Sequence, residues 1–143
     1  MRRLTFPDGK RFAFTIVDDT DVATVANVGP IYELLASLGM RTTKTVWPFR
    51  WHGEDSNFVS SATLEDPAYL AFVRKLAADG FEIASHGATM ESSDSATTAA
   101  ALARHHEVFE TIPRLYVNHS FNQENMYWGT TRIDDPILKR LYG

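Results

Sequence analysis

Two adjacent carboxylates, Asp18 and Asp19, follow the apolar run Phe14-Thr15-Ile16-Val17. His86 follows a second run, Phe81-Glu82-Ile83-Ala84-Ser85, and Asn118-His119 follows a third, Arg114-Leu115-Tyr116-Val117. Carboxylate oxygens and imidazole nitrogens are ligands for zinc and related divalent ions. Two acids and two histidines brought from three segments to one rim therefore predict a divalent-metal site plus a base. Side chains alternate along an extended chain, so Asp18 and Asp19 point to opposite sides, and one can bind a metal while the other holds a water. The chain contains no cysteine, which excludes thiolate ligation, disulfides and a cysteine nucleophile.

The elements that must position these groups alternate between strand and helix. Residues 11–17, β-branched and aromatic, read as a buried strand ending on Asp18-Asp19-Thr20-Asp21. Residues 25–38 carry Val28, Ile31, Leu34, Leu35 and Leu38 at spacings of three and four, one apolar helical face, with Gly39 as the terminating residue. Residues 42–47 form the next strand, ending on Trp47, and residues 49–63 a polar and aromatic loop. Asp66-Pro67 opens a helix through Leu70, Val73 and Leu76 to Gly80, residues 81–85 are a third strand, Ser92-Ser93-Asp94 caps an alanine-rich helix over 96–109, and residues 114–117 are a fourth strand. Helices between strands imply parallel pairing and an α/β fold, open or barrel-like, with all four strand ends on one edge, where such folds build their sites. In that frame Asp21 reads as a helix cap, and the neighbouring His105 and His106 as surface or packing residues.

The 143 residues suit one domain, with no linker, repeat or low-complexity tract. Fourteen Lys and Arg against eighteen Asp and Glu give a net charge of −4, without the basic stripe that grips phosphate backbones, so nucleic acid is not an expected partner. No apolar run approaches the ~20 residues that span a bilayer, and no leader-like apolar segment follows Met1, so the expectation is a cytoplasmic protein.

Phe14-Thr15-Ile16-Val17-Asp18-Asp19, followed by a helix and by Gly80-Phe81-Glu82-Ile83-Ala84-Ser85-His86, resembles the first two motifs of the polysaccharide deacetylase family, carbohydrate esterase family four. The resemblance spans about residues 12–129. It implies an irregular β/α barrel that removes acetyl groups from N-acetylated sugars with a divalent metal, most often zinc. Residue by residue, it implies that Asp18 is the catalytic base, and that Asp19 and His86 are metal ligands. The family's second histidine falls at position 90, where this chain has Met90, a poor zinc ligand. His119 is the leading replacement, with Glu91 and Asp21 behind it. The family's third motif is not intact, and its late histidine, the general acid, falls past Gly143. The resemblance thus implies a single domain over residues 1–143 lacking the C-terminal part of the barrel. Its open edge would suit pairing with another copy. Trp47, Asn118, Tyr127 and Trp128 would contact the sugar, since aromatic faces suit pyranose rings.

Two alternatives stand beside this reading. Asp19-Thr20-Asp21 after an apolar strand resembles the nucleophile motif of haloacid-dehalogenase-like phosphatases, with Asp19 as nucleophile, Asp21 as acid and magnesium as cofactor. That reading leaves His86 unexplained. The other is a catalytically dead, carbohydrate-binding relative that holds no metal. The particular sugar, polymer or activated precursor, is not encoded in any of these motifs.

Overall fold

The structure is a computed structural model that describes residues 5–53, 61–120, 122, 133 and 135–142. After a short 3-10 turn at Pro7–Gly9, the order is β1 (Val17–Asp18), α1 (Val25–Ser37), β2 (Thr43–Val46), α2 (Pro67–Ala78), β3 (Glu82–Ser85), α3 (Ser95–Phe109) and α4 (Pro136–Tyr142). The three strands are parallel, in the order β1-β2-β3, with Asp18 opposite Lys44 and Val46 opposite Ser85. This is the expected α/β alternation; among the described residues the sheet is open and does not close into a barrel. Parallel strands put their carboxyl ends on one edge, which carries Asp19, Trp47 and His86 together.

Two expected strands are shorter than their sequence suggests. Of residues 11–17 only the last joins the ladder, preceded by one bond from the Thr43 amide to the Ile16 carbonyl, and Phe12 and Phe14 are 76% and 72% exposed. Among the described residues β1 is the edge of the sheet, and none of them pairs with residues 11–16 from its far side. The fourth strand is reduced to a single parallel bridge, Ser85 to Tyr116, with bonds from Ser85 to Leu115 and from Val117 to Ser85. That bridge still aligns Asn118-His119 with the end of β3.

The core lies between the sheet and α1 and α2. Val46 and Ile83 from the strands meet Tyr32, Leu64, Tyr69, Val73, Leu76 and Phe81. Tyr32 stands edge-on to Phe72 and Phe81, with ring centroids 6.0 and 5.1 Å away, a favourable aromatic geometry. Here α1 departs from the expected stripe. Gly29 and Tyr32 are its buried residues, with Val28, Leu35 and Ala36 packed beside them, while Ile31, Leu34 and Leu38 face outward. The place of the Tyr32 ring in the Phe72–Phe81 cluster turns the helix away from the purely aliphatic face. The apolar Ile31-Leu34-Leu38 row is thereby left on the surface.

Local sequence sets the helix ends. Thr24 and Asn27 form a reciprocal capping box on α1, and Gly39, at φ 70°, follows its last turn in the left-handed conformation that glycine adopts without strain. Asp94 caps α3 by accepting the Thr97 amide, and Pro67 occupies the first position of α2. Asp66, expected to cap α2, turns its carboxylate back to the Thr63 amide. Helix α4 has no counterpart in the sequence reading. Its signal is Asp135-Pro136, with the Asp135 carboxylate accepting the Ile137 and Leu138 amides.

Candidate metal centre

His86 leaves β3 into a turn at Gly87, whose φ of 102° is open to glycine and strained for other residues. A Cβ there would also stand 3.4 Å from the Tyr116 hydroxyl and 3.5 Å from the Trp47 ring. The turn fixes where the imidazole goes. The side chain is 1% exposed, and its Nδ1 lies 2.9 Å from the Val117 carbonyl. A carbonyl only accepts, so Nδ1 carries the hydrogen, and Nε2 of the neutral ring presents a lone pair.

That lone pair faces carboxylates. Nε2 is 2.8 Å from Asp19 Oδ1 and 3.6 Å from Asp21 Oδ1, yet it is buried and makes no directed hydrogen bond to either. Asp19, Asp21 and His86 each offer one ligand atom, all within 4.8 Å of one another. A nitrogen lone pair and two carboxylate oxygens converging at this distance repel one another unless a cation lies between them or the ring takes a second proton. The donor set, one nitrogen and two oxygens, suits zinc or a similar borderline ion. The residues present therefore fit a divalent metal.

Asp21, expected as a helix cap, instead joins this group, because Thr24 takes the capping role. The turn that presents it is held by the Asp21 amide on Asp19 Oδ1 and by the Val22 amide on the Ser61 hydroxyl. Val22 adopts φ 61°, a left-handed conformation that a β-branched residue rarely takes. Such strain concentrates at functional sites. The sequence signal for Asp21 was its position two residues after Asp19, and the competing helix-cap reading placed it behind His119 as a ligand.

His119 stands behind Asp21. Its Nε2 is 3.0 Å from Asp21 Oδ2, while Oδ1 is the oxygen 3.6 Å from His86, so it orients that carboxylate as an outer-shell partner does. Trp47, expected to touch a sugar, is fully buried and packs against both histidines: its ring centroid lies 4.4 Å from His86 and 5.1 Å from His119, and the two imidazoles are 5.4 Å apart. Asn118 is half-buried beside His119. Tyr127 and Trp128 lie outside the described residues. Met90 is buried in the loop after Gly87.

Asp18 is held apart from this group. Its Oδ2 accepts the Tyr32 hydroxyl at 2.8 Å and pairs with the Lys44 ammonium at 3.0 Å. Lys44 is fully buried at the register position opposite Asp18. Burial pushes its pKa down, against the opposing pull of Asp18 and, further off, of Asp19 and Asp21. Burial, followed by the Asp18 carboxylate, pushes the Tyr32 hydroxyl up, so Tyr32 remains a donor. Tyr69, buried and bonded to Thr20, is likewise pushed up to about 12. The two neighbouring acids thus do point to opposite sides, one toward His86 and one toward the Lys44–Tyr32 pair.

Comparison with known proteins finds no matching family model, no matching curated protein and no matching solved structure.

Proposed function

We propose that this chain is a divalent-metal hydrolase whose substrate is an N-acetyl group on a sugar. The observation that supports it is the buried His86 Nε2, its lone pair facing Asp19 and Asp21 with no hydrogen bond. In this reading Asp19, Asp21 and His86 hold zinc, and the alternating strands and helices are part of a deacetylase-like irregular barrel. A divalent ion so placed polarises an acyl carbonyl and lowers the pKa of water from 15.7 toward about 7.

The chain's own residues then divide the work. Val117 holds the His86 tautomer, His119 holds Asp21, and Trp47 keeps bulk water from the back of both imidazoles. The resemblance implies that Asp18 takes the proton from water. Its direction away from His86, into the Lys44–Tyr32 pair, favours a structural anchor for β1. Asp18→Asn distinguishes the two roles: a base loses turnover with folding intact, and an anchor loses thermal stability.

Metal analysis with acetate release tests the whole reading. Protein purified without chelator should take up close to one zinc per chain, lose it in His86→Ala and Asp21→Ala, and release acetate from N-acetylglucosamine oligomers only when loaded. No zinc uptake would overturn the proposal and leave the metal-free binding relative. Turnover of a phosphate monoester with magnesium, with His86→Ala unaffected, would favour the phosphatase alternative.

A further inference from the structure

The far side of β1 is unpartnered among the described residues, and what lies there is apolar. Phe12, Phe14 and Ile16 sit at the two-residue spacing that puts side chains on one face of a strand. Beside them α1 turns out Ile31, Leu34 and Leu38, and these six side chains are 37% to 76% exposed. Ile16 and Ile31, one from each row, share a groove of about 330 Å³ that Val17, Val28 and Leu35 also line, together with Asp18 and Asp19. Six large apolar side chains exposed on one flank exceed the scattered single ones that an ordinary monomer surface carries.

We propose that a second copy of this chain covers this face, with the two β1 segments antiparallel about a two-fold axis at Phe14. The choice of occupant rests on charge. The segment is basic at its start, Lys10-Arg11, and acidic at its end, Asp18-Asp19. An antiparallel copy sets Lys10 opposite the partner's Asp18, whose Oδ2 takes Lys44 and Tyr32 while Oδ1 is left for it, and Phe12 opposite the partner's Ile16, so base meets acid at both ends and apolar groups meet in the middle. A parallel copy would set like charges together. Opposite charges across a strand pair stabilise it and like charges oppose it, and an isologous two-fold contact closes on itself instead of propagating. The unpaired strand edge, a hazard when left open, is satisfied in the same step. The pairing does not depend on the metal reading.

The chain lacks cysteine, so single cysteines report the geometry directly. The unmodified chain should sediment at twice 16.1 kDa at micromolar concentration. Phe14→Cys should cross-link to its counterpart under mild oxidation. Lys10→Cys, about 26 Å from its counterpart in this register at ~3.3 Å per residue, should not. Leu34→Lys, on the exposed row of α1, should weaken association at least tenfold while leaving the circular dichroism unchanged. A monomeric mass throughout would overturn the proposal, assigning the face to another partner, and so would a dimer in which Lys10→Cys cross-links and Phe14→Cys does not.

Discussion

At the residue scale, the division between Asp18 and its neighbours carries the sharpest consequences. Asp18→Asn should leave zinc affinity, measured by calorimetry, within about twofold, because its carboxylate is engaged by Lys44 and Tyr32. His119→Ala should cost about 10–100-fold in affinity, the usual effect of losing the partner that orients a ligand; an unchanged value would mean that Asp21 is not a ligand. Val22 offers a separate test. In the left-handed region a non-glycine residue costs roughly 1–2 kcal/mol, and asparagine less. Val22→Asn should therefore raise stability by about 1 kcal/mol in urea denaturation, and a loss of stability would show that the half-exposed valine side chain has a packing role. The sequence made His86, Asp18 and Asp19 legible because each ends an apolar run. It ranked Asp21 behind His119 as a ligand and hid His119's part in holding Asp21, since that contact joins residues 98 positions apart.

Elements were legible where local chemistry decides them and misread where packing does. The cap at Asp94 and the glycine after α1 follow from short-range hydrogen bonding and lie where the sequence puts them, whereas α1 is capped by Thr24, three residues past the Asp21 that the sequence favours. The face of α1 also differs, because periodicity alone cannot distinguish an aliphatic row from one in which Tyr32 reaches an aromatic cluster. Gly29 sits inside that helix, where a Cβ would meet nothing within 4 Å. Gly29→Ala should thus stabilise the protein by about 1 kcal/mol, a few degrees in Tm, through helix propensity alone; a decrease would mean that the helix needs the glycine's flexibility beside Pro30. Asp94 gives a pH signature. Backbone and side-chain bonds from Thr97 hold its pKa below the usual value, so its contribution to α3 is present above the ordinary Asp range near pH 4 and fades as pH falls through the lowered value. Asp94→Ala should lower Tm at pH 7 and remove that part of the acid-dependent loss, leaving wild type and variant closest at the lowest pH.

At the scale of the whole molecule, a three-stranded sheet with helices packed on it buries one side of its core well and leaves both flanks of the sheet thin. On the β3 flank a single bridge stands in for a strand, and a cavity of about 540 Å³ opens between Phe81, Ile83, Phe109 and Ile112. On the β1 flank the apolar face described above is left uncovered by the described residues. A domain of this size has a margin of only about 5–15 kcal/mol, so covering that face is a large fraction of its stability. If a second copy supplies that cover, unfolding becomes linked to dissociation, and stability becomes a function of concentration. Each tenfold rise in protein concentration should then stabilise the dimer by about 1.4 kcal/mol. Calorimetry over a hundredfold range of concentration should show Tm rising by several degrees, with the slope abolished in Leu34→Lys, since a charge at the centre of the face removes the partner without touching the core. A Tm independent of concentration in the unmodified chain would mean that the sheet stands without its neighbour. The exposed phenylalanines of residues 11–16 would then serve some other surface, and the strand that the sequence reads there would remain unpaired for want of any partner of its own kind.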